Sequence, residues 1–341
     1  MAGIYAQDIA SFGQRDLLDV ITSVDGKTTP CLSTFSKKSA NMGEDALVKE
    51  WPVDNEENPI SSANTAYAVP EGSDVSTFDN TNASYAIMSN RIQWVRTAAQ
   101  VGKLASISQN QAGVKNKKAR AIKKKLTQLA RTMETIICGD GDSQVGNAVV
   151  GNKMKQMGSF LNTTQSGATA VPTAYIIPAA QHLTSTLSTF AESTMQGVLT
   201  SQFSQTGQNR TRMLVAGTAL KAKFVDFTRT QTSSTNVMSN VRVYNQDATA
   251  KKIVSVVDVF VGEFGTIELL PTLWNAYNYT TNVGDVNRGY VIDQDRWALD
   301  FKQQAQVMEL PDQGGGARFA ADAVFTLVCM NPLDQAALKL T

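Results

Sequence analysis

Histidine is almost missing from this chain: His182 is the one copy in 341 residues, so any chemistry that needs an imidazole base would rest on it alone. Its Gln181-His182-Leu183 setting carries no motif, and it reads as an ordinary surface or core side chain. Cysteine is scarce too. Cys31, Cys138 and Cys329 are odd in number and far apart along the sequence, a pattern that fits buried thiols in a reducing compartment and argues against a disulfide framework or a zinc site. Long apolar runs are absent. The longest apolar-rich stretch, Ile253 to Phe264, is too short and too polar to cross a bilayer, and Gln7, Asp8, Gln14, Arg15 and Asp16 interrupt any leader-like segment. The protein is therefore expected in the cytosol with no membrane partner. A net charge of +1 provides no overall field of the kind that marks nucleic-acid or membrane-surface proteins.

Catalytic motifs are missing as well. There is no nucleophile elbow, phosphate-binding loop, dinucleotide fingerprint or metalloprotease helix. Asp140-Gly141-Asp142-Ser143 imitates part of a calcium loop but lacks the remaining ligands and the terminal glutamate, and a helix-ending turn explains it better. The carboxylate pair Glu56 and Glu57 sits in a polar segment with no sign of the burial that tunes acid–base groups. No catalytic residue, cofactor or metal site is predicted. An enzyme is the least favoured class, because nothing supplies a nucleophile, a base and a stabilising group together.

What the chain does have is 42% hydrophobic residues and length enough for about two domains. Its front end is the most informative part. An acidic, irregular arm from Asn41 to Asp79 carries Glu44, Asp45, Glu50, Asp54, Glu56, Glu57, Glu71, Asp74 and Asp79 against the single cation Lys49. It runs toward a basic amphipathic helix predicted over Val114 to Ile137, about 36 Å long. Ile122, Leu126, Leu129, Met133, Ile136 and Ile137 recur at helical spacing and form one apolar stripe. Lys117, Lys118, Arg120, Lys123, Lys124 and Lys125 cover much of the remaining surface. The run Lys115 to Lys125 could contact phosphates, yet it lacks the interleaved aromatics that stack bases. A solvated or partner-facing surface is the preferred reading, and arm and helix suggest a subunit that grips copies of itself.

Before the arm, Thr29-Pro30 forces an extended conformation. Strand-like patterns run from Lys37 to Glu50 and from Tyr85 to Ala105, enclosing a polar insertion, which suggests a projecting hairpin that is stable only on a neighbour. The helix is expected to close in a left-handed turn at Gly139 and Gly141. Beyond it come a helix predicted at Pro178 to Met195, with Pro at its first turn, a strand at Met213 to Ala216 and a helix at Thr218 to Phe227. Ile253 to Leu270 reads as two strands about Gly262 to Gly265. Ala305 to Leu310 and Ala323 to Met330 give two more, joined by Asp312 to Gly316. The apolar stripe of the long helix is expected to cover these late strands, placing residues near 130 beside residues near 260 and 325.

Local sequence resembles the major capsid proteins of tailed bacteriophages. Arg15-Asp16-Leu17-Leu18-Asp19-Val20-Ile21 with Thr29-Pro30-Cys31-Leu32-Ser33 is similar to their N-terminal arm, Glu50-Trp51 to the start of their extended loop, and Asn90-Arg91-Ile92-Gln93 to its returning strand. The helix ending in Met133-Glu134, and Val259 to Gly265, resemble their spine helix and late strands. A departure is Ala320-Ala321-Asp322-Ala323, where a glutamate is expected before the final strand.

The resemblance implies an α+β fold of the Hong Kong 97 type. Its parts would be an N-terminal arm at 1–36, an extended loop at 37–109, the spine helix and first part of the peripheral domain at 110–172, an axial domain at 173–300 with interleaved peripheral strands near 253–270, and a peripheral return at 301–341. It implies a virion subunit that assembles in host cytoplasm into pentamers and hexamers around double-stranded DNA, which it contacts non-specifically. A portal, a separate scaffolding protein and a decoration protein are the further partners it suggests. Glu50, Trp51, Asp54, Glu56 and Glu57 of the loop would meet Lys117, Lys118 and Lys124 of an adjacent subunit. An encapsulin-like compartment with enzyme cargo shares this fold and is the alternative; a non-catalytic nucleic-acid binder is a more remote one.

Overall fold

The structure, a computed structural model, describes residues 28–39, 46–56, 71–72, 74, 84–107, 116–167, 169–227, 229–230, 241–242, 246–247, 252–253 and 257–341. The Arg15–Ile21 motif, Glu57 and several arm acids lie outside the described residues. In chain order the elements are α1 (Pro30–Thr34), β1 (Ser36–Ser39), β2 (Val48–Val53), β3 (Ala86–Arg91), β4 (Gln93–Gly102), α2 (Lys103–Ile107), α3 (Lys117–Ile137), α4 (Met157–Phe160), β5 (His182–Leu183), α5 (Glu192–Thr206), β6 (Arg210–Ala216) and α6 (Thr218–Phe227). Two-residue strands follow: β7 (Arg229–Thr230), β8 (Val241–Arg242), β9 (Gln246–Asp247) and β10 (Lys252–Ile253). The chain ends with β11 (Val259–Gly262), β12 (Gly265–Pro271), β13 (Arg288–Ile292), β14 (Trp297–Leu310), β15 (Gly316–Cys329) and β16 (Ala336–Lys339).

The apolar spacing forms the long helix as predicted, but its start is later. Asn116 has extended backbone and its side chain accepts from the Ala119 amide at 2.9 Å, so it caps α3 and the helix begins at Lys117. The stripe is buried only from Leu129 onward; Met133, Ile136 and Ile137 complete the covered end, while Ile122 and Leu126 are half-buried. Each fully buried side chain contributes about 1.5–3 kcal/mol gross. At the C-terminal end, Gly139 and Gly141 do not take the expected left-handed turn, since neither has positive φ. Gln156 instead folds its amide against them, accepting from the Gly141 amide at 2.6 Å. A Cβ at Gly139 would sit 2.0 Å from Gln156 Oε1.

Two sheets organise the remainder. A four-stranded sheet has the order β1-β14-β15-β4, with β1 parallel to β14 and the other neighbours antiparallel. A six-stranded sheet has the order β11-β12-β6-β13-β16-β5. Helix α3 packs on β4 and β15 of the first sheet, so Leu129 and Met133 share a core with Phe325 and Leu327. The six-stranded sheet sits between two cores. Val215, Tyr290 and Ile292 face the α3 core, whereas Leu214, Ile267 and Val291 pack with Leu199 of α5 and Leu220 of α6.

Four expectations are corrected. Besides the turn at Gly139 and Gly141, the late strands divide: β15 meets α3, but β11 and β12 pair with each other and with β6 in the second sheet, so residues near 260 do not lie under the helix. Pro178–Met195 is not a helix. Short 3-10 turns flank β5, which is recruited as a parallel partner of β16, and α5 starts only at Glu192. Lys37 to Glu50 holds parts of two strands in different sheets, and Tyr85 to Ala105 breaks at Ile92 into β3 and β4, with α2 beginning at Lys103. Among the described residues no helix is long and apolar enough to cross a membrane.

Candidate subunit-assembly surfaces

Strands β2 and β3 form an antiparallel ribbon in register from Val48 opposite Arg91 to Val53 opposite Ala86. Among the described residues no third strand joins it. A two-stranded ribbon is marginal unless something holds it, and its base is held by side chains. Trp51 Nε1 donates to the Cys329 carbonyl at 3.0 Å, with its ring 6.4 Å from that of Phe160. Asn90, fully buried, donates to the carbonyls of Lys155 at 3.1 Å and Leu327 at 2.7 Å, and its own carbonyl accepts from the Lys155 amide at 2.7 Å. Lys49 pairs with Asp300 at 3.5 Å, and Lys302 Nζ donates to the Ala46 carbonyl at 3.1 Å. Trp51 is thus an anchor within its own subunit. Glu50, Asp54 and Glu56 are exposed, and Asp54 accepts from Ser84 Oγ at 2.5 Å.

Helix α1 is held by an acid on α3. Glu134 is fully buried, and its two carboxylate oxygens accept from the amides of Cys31 at 2.8 Å and Leu32 at 2.7 Å, the first turn of α1. Burial raises its pKa above the usual carboxyl range, against the opposing pull of those two amides. Trp274 Nε1 donates to the Thr28 carbonyl at 2.7 Å, and Phe35 stacks on Trp297 with ring centroids 6.1 Å apart. Cys31 and Cys138, distant in sequence, lie with their sulfurs 3.2 Å apart.

The basic face of α3 stands toward the opposite end. Arg120, Lys123 and Lys124 are exposed. Lys118 pairs with Glu309 at 2.6 Å, and Lys117 Nζ donates to the Ala105 carbonyl at 2.8 Å. Among the described residues no ion pair joins Glu50, Asp54 or Glu56 to Lys117, Lys118 or Lys124. Glu309 belongs to the outer half of β14, which is exposed from Gln304 to Leu310.

The acids after α3 are spent on cations of their own chain. Asp140 pairs with Lys339 at 2.7 Å and Arg288 at 2.8 Å, tying the helix end to β16 and β13. Asp142 lies 3.4 Å from the buried Lys155 Nζ. Gly158 makes the joint possible, since a Cβ there would stand 2.5 Å from both Asp140 Oδ1 and the Tyr290 hydroxyl. Asp322, within the Ala320-Ala321-Asp322-Ala323 stretch that departs from the resemblance, is buried beneath Trp94 and Arg96. It accepts from Trp94 Nε1 at 3.3 Å, Arg96 at 3.4 Å and Gln303 Nε2 at 3.0 Å. Arg96 lies over the Trp94 ring at 4.0 Å. His182 is half-buried on β5, and burial lowers its pKa.

Sequence reasoning found the basic face, misplaced the bounds of the ribbon strands, and missed the fastenings Asn90, Glu134 and Lys155. Glu134 carried a signal: it is an acid set among Met133, Ile136 and Ile137 at the most apolar end of the helix.

Known proteins supply the last observation. The family model of the SU10 major capsid protein matches residues 5–341. The capsid of a native GTA particle superposes with a TM-score of 0.61 at 9% identity, covering 98% of this chain and 97% of that one. A structure from Mycobacterium phage Bobi gives 0.58 at 12% identity, with 98% of each chain covered. The capsid structure of cyanophage P-SCSP1u gives 0.58 at 11% identity, covering 98% and 94%. No curated protein matches the sequence. At these identities the likeness is one of fold, the Hong Kong 97 type, while the family match spans nearly every residue: the chain belongs to the SU10 major capsid protein family and is a structural, non-enzymatic subunit of a virion shell.

Proposed function

We propose that the shell is built from pentamers and hexamers of this chain, locked by the β2–β3 ribbon of one subunit lying across the basic face of α3 in the next. The observation that carries this reading is the ribbon itself, fastened at its base by Trp51 and Asn90 and joined to no third strand among the described residues. Its exposed acids Glu50, Asp54 and Glu56 complement Lys117, Lys118 and Lys124, and Glu57 would extend that set. Exposed ion pairs contribute about 0–1 kcal/mol each, so the charges choose partner and register while symmetry multiplies modest contacts. In the same reading α3 with the four-stranded sheet is the peripheral domain. The six-stranded sheet with α5 and α6 is the axial domain, roughly 173–300 with β16 added. The shell would enclose double-stranded DNA held non-specifically, with a portal, a scaffolding protein and a decoration protein as further partners. The family match favours this over an encapsulin-like compartment.

The triple variant K117E/K118E/K124E tests it. Negative-stain microscopy is expected to show no closed shells, while circular dichroism and the unfolding midpoint of the subunit stay near those of the parent. Normal shells from the triple variant would overturn the ribbon-to-helix contact.

A further inference from the structure

We propose that Cys31 and Cys138 are a disulfide-forming pair, a covalent staple between the root of the N-terminal arm and the end of α3. The two cysteines are 107 residues apart in sequence, both are fully buried, and Cys138 Sγ donates toward Cys31 Sγ at 3.2 Å. A bond needs the sulfurs at about 2.05 Å, an approach of roughly 1.2 Å between side chains that already point at one another. Cys31 lies in α1, whose first turn is capped by Glu134, and Cys138 is the C-cap of α3. The pairing therefore joins two elements already docked.

Glu134 Oε1 stands 3.7 Å from Cys138 Sγ, and these three residues could also be read as a metal site. Two observations argue against that. Both carboxylate oxygens already accept backbone amides. A tetrahedral zinc with bonds of about 2.3 Å holds its sulfurs nearer 3.8 Å than the separation seen here.

The oxidant is a peroxide. A thiolate of the pair attacks it, an S–O bond forms as the O–O bond breaks, and the departing hydroxide takes up a proton to leave as water. The second thiolate then attacks the sulfenic sulfur, forming the S–S bond and expelling the remaining hydroxide as a second water. Two cysteines lose two protons and two electrons, and one peroxide is reduced to two waters. Closure is slow in the docked subunit. The hydrogen bond from Cys138 pulls the Cys31 thiol down, but burial and the adjacent Glu134 carboxylate together raise it, and Cys138, which donates that bond, stands well above its usual range. The pair itself rests on geometry alone. Only its timing rests on the shell reading: a particle made in a reducing cell and released from it meets oxidising conditions.

Unassembled chain provides the test, so its outcome is independent of whether shells form. Purified protein is treated with hydrogen peroxide, once as folded and once through a cycle of urea unfolding and refolding. Free thiols are blocked with N-ethylmaleimide, and the digest is read without reduction by mass spectrometry. Expected is a cross-linked peptide joining Cys31 to Cys138, about 2 Da lighter than the sum of the free peptides. It should persist in C329S and vanish in both C31S and C138A. The oxidised chain should unfold at a higher temperature than the same chain treated with dithiothreitol. Full alkylation of Cys31 and Cys138 after both treatments would overturn the proposal. So would their conversion to sulfinic acid without a link, or one equivalent of zinc on the native protein.

Discussion

Asn90 and Lys155 exchange hydrogen bonds as two strands would, the Asn90 carboxamide accepting from the Lys155 amide and donating to its carbonyl. The same carboxamide reaches the Leu327 carbonyl on β15, so one side chain fastens the ribbon, the loop after α3 and the four-stranded sheet.

Removing that side chain leaves buried backbone groups unpaired, at about 1–3 kcal/mol for each group left unsatisfied. Asn90→Ala is expected to destabilise the subunit by about 2–4 kcal/mol in urea unfolding. Asn90→Asp is expected to do no better, since a carboxylate cannot donate to either carbonyl. A loss under ~0.5 kcal/mol, below the net worth of a single hydrogen bond, would mean that the ribbon base is held without it.

A second polar fastening lies in the six-stranded sheet. Arg212 and Asp334 are both fully buried and pair at 2.5 Å, with Gln202 Nε2 donating to the Asp334 carbonyl. Burial raises the Asp334 pKa, and the Arg212 guanidinium opposes that rise. Breaking a buried pair from one side costs about 3–5 kcal/mol because a charge is stranded, whereas replacing both partners by apolar groups is much milder. Asp334→Leu alone is expected to lose several kcal/mol in chemical denaturation, and R212M/D334L to recover more than half of that loss. Equal losses in the single and double variants would show that the two charges are not coupled.

Glu134 makes stability depend on pH in a sense opposite to a paired surface carboxylate. Its folded pKa is raised above the ordinary 4.5, chiefly by burial, so between those values the native state holds a proton that the unfolded chain has lost. Its contribution is complete below pH 4.5 and is lost as pH rises through the folded value. Urea midpoints measured from about pH 4 to 8 should therefore fall more steeply for the parent than for Glu134→Gln. The variant should also be weaker at low pH by about 1–3 kcal/mol, because its NH2 group faces one of the Cys31 and Leu32 amides with no lone pair to accept it, whereas the hydroxyl oxygen of a protonated carboxyl still has one. Parallel pH curves would show that Glu134 does not titrate in this window.

Periodicity made α3, α6 and the β11–β12 hairpin legible, because each buries one regular face, while the Gly-rich turn from Asp312 to Gly316 marked the β14–β15 hairpin, whose strands are buried in blocks. It could not say which sheet a strand enters. β11 and β12 carry the same alternation they would need beneath α3, and their allegiance to β6 is decided by a pairing about 55 residues away in sequence. Residues 178–191 misled for a related reason: β16 offers an open edge, and His182 and Leu183 pair with it instead of continuing a helix after Pro178. Asn90, Lys155 and Asp322 were unreadable because a polar residue looks the same in sequence whether solvent or a buried carbonyl satisfies it. The basic face was legible and the ribbon nearly so, since exposed charge needs no partner from the same chain.

The pairing of β1 with β14 has a consequence for synthesis. Ser36 to Ser39 find their partners in Ala298 to Phe301, so this strand waits for roughly 260 more residues to be made before it has an edge to join. β14 in turn is flanked by β15, which must follow it. Such long-range closure makes folding slow, and until it occurs β1 has no strand partner and Phe35 lacks its stack on Trp297. A chain that stops short of β14 and β15 consequently lacks both the strand partner of β1 and the aromatic stack that seats Phe35.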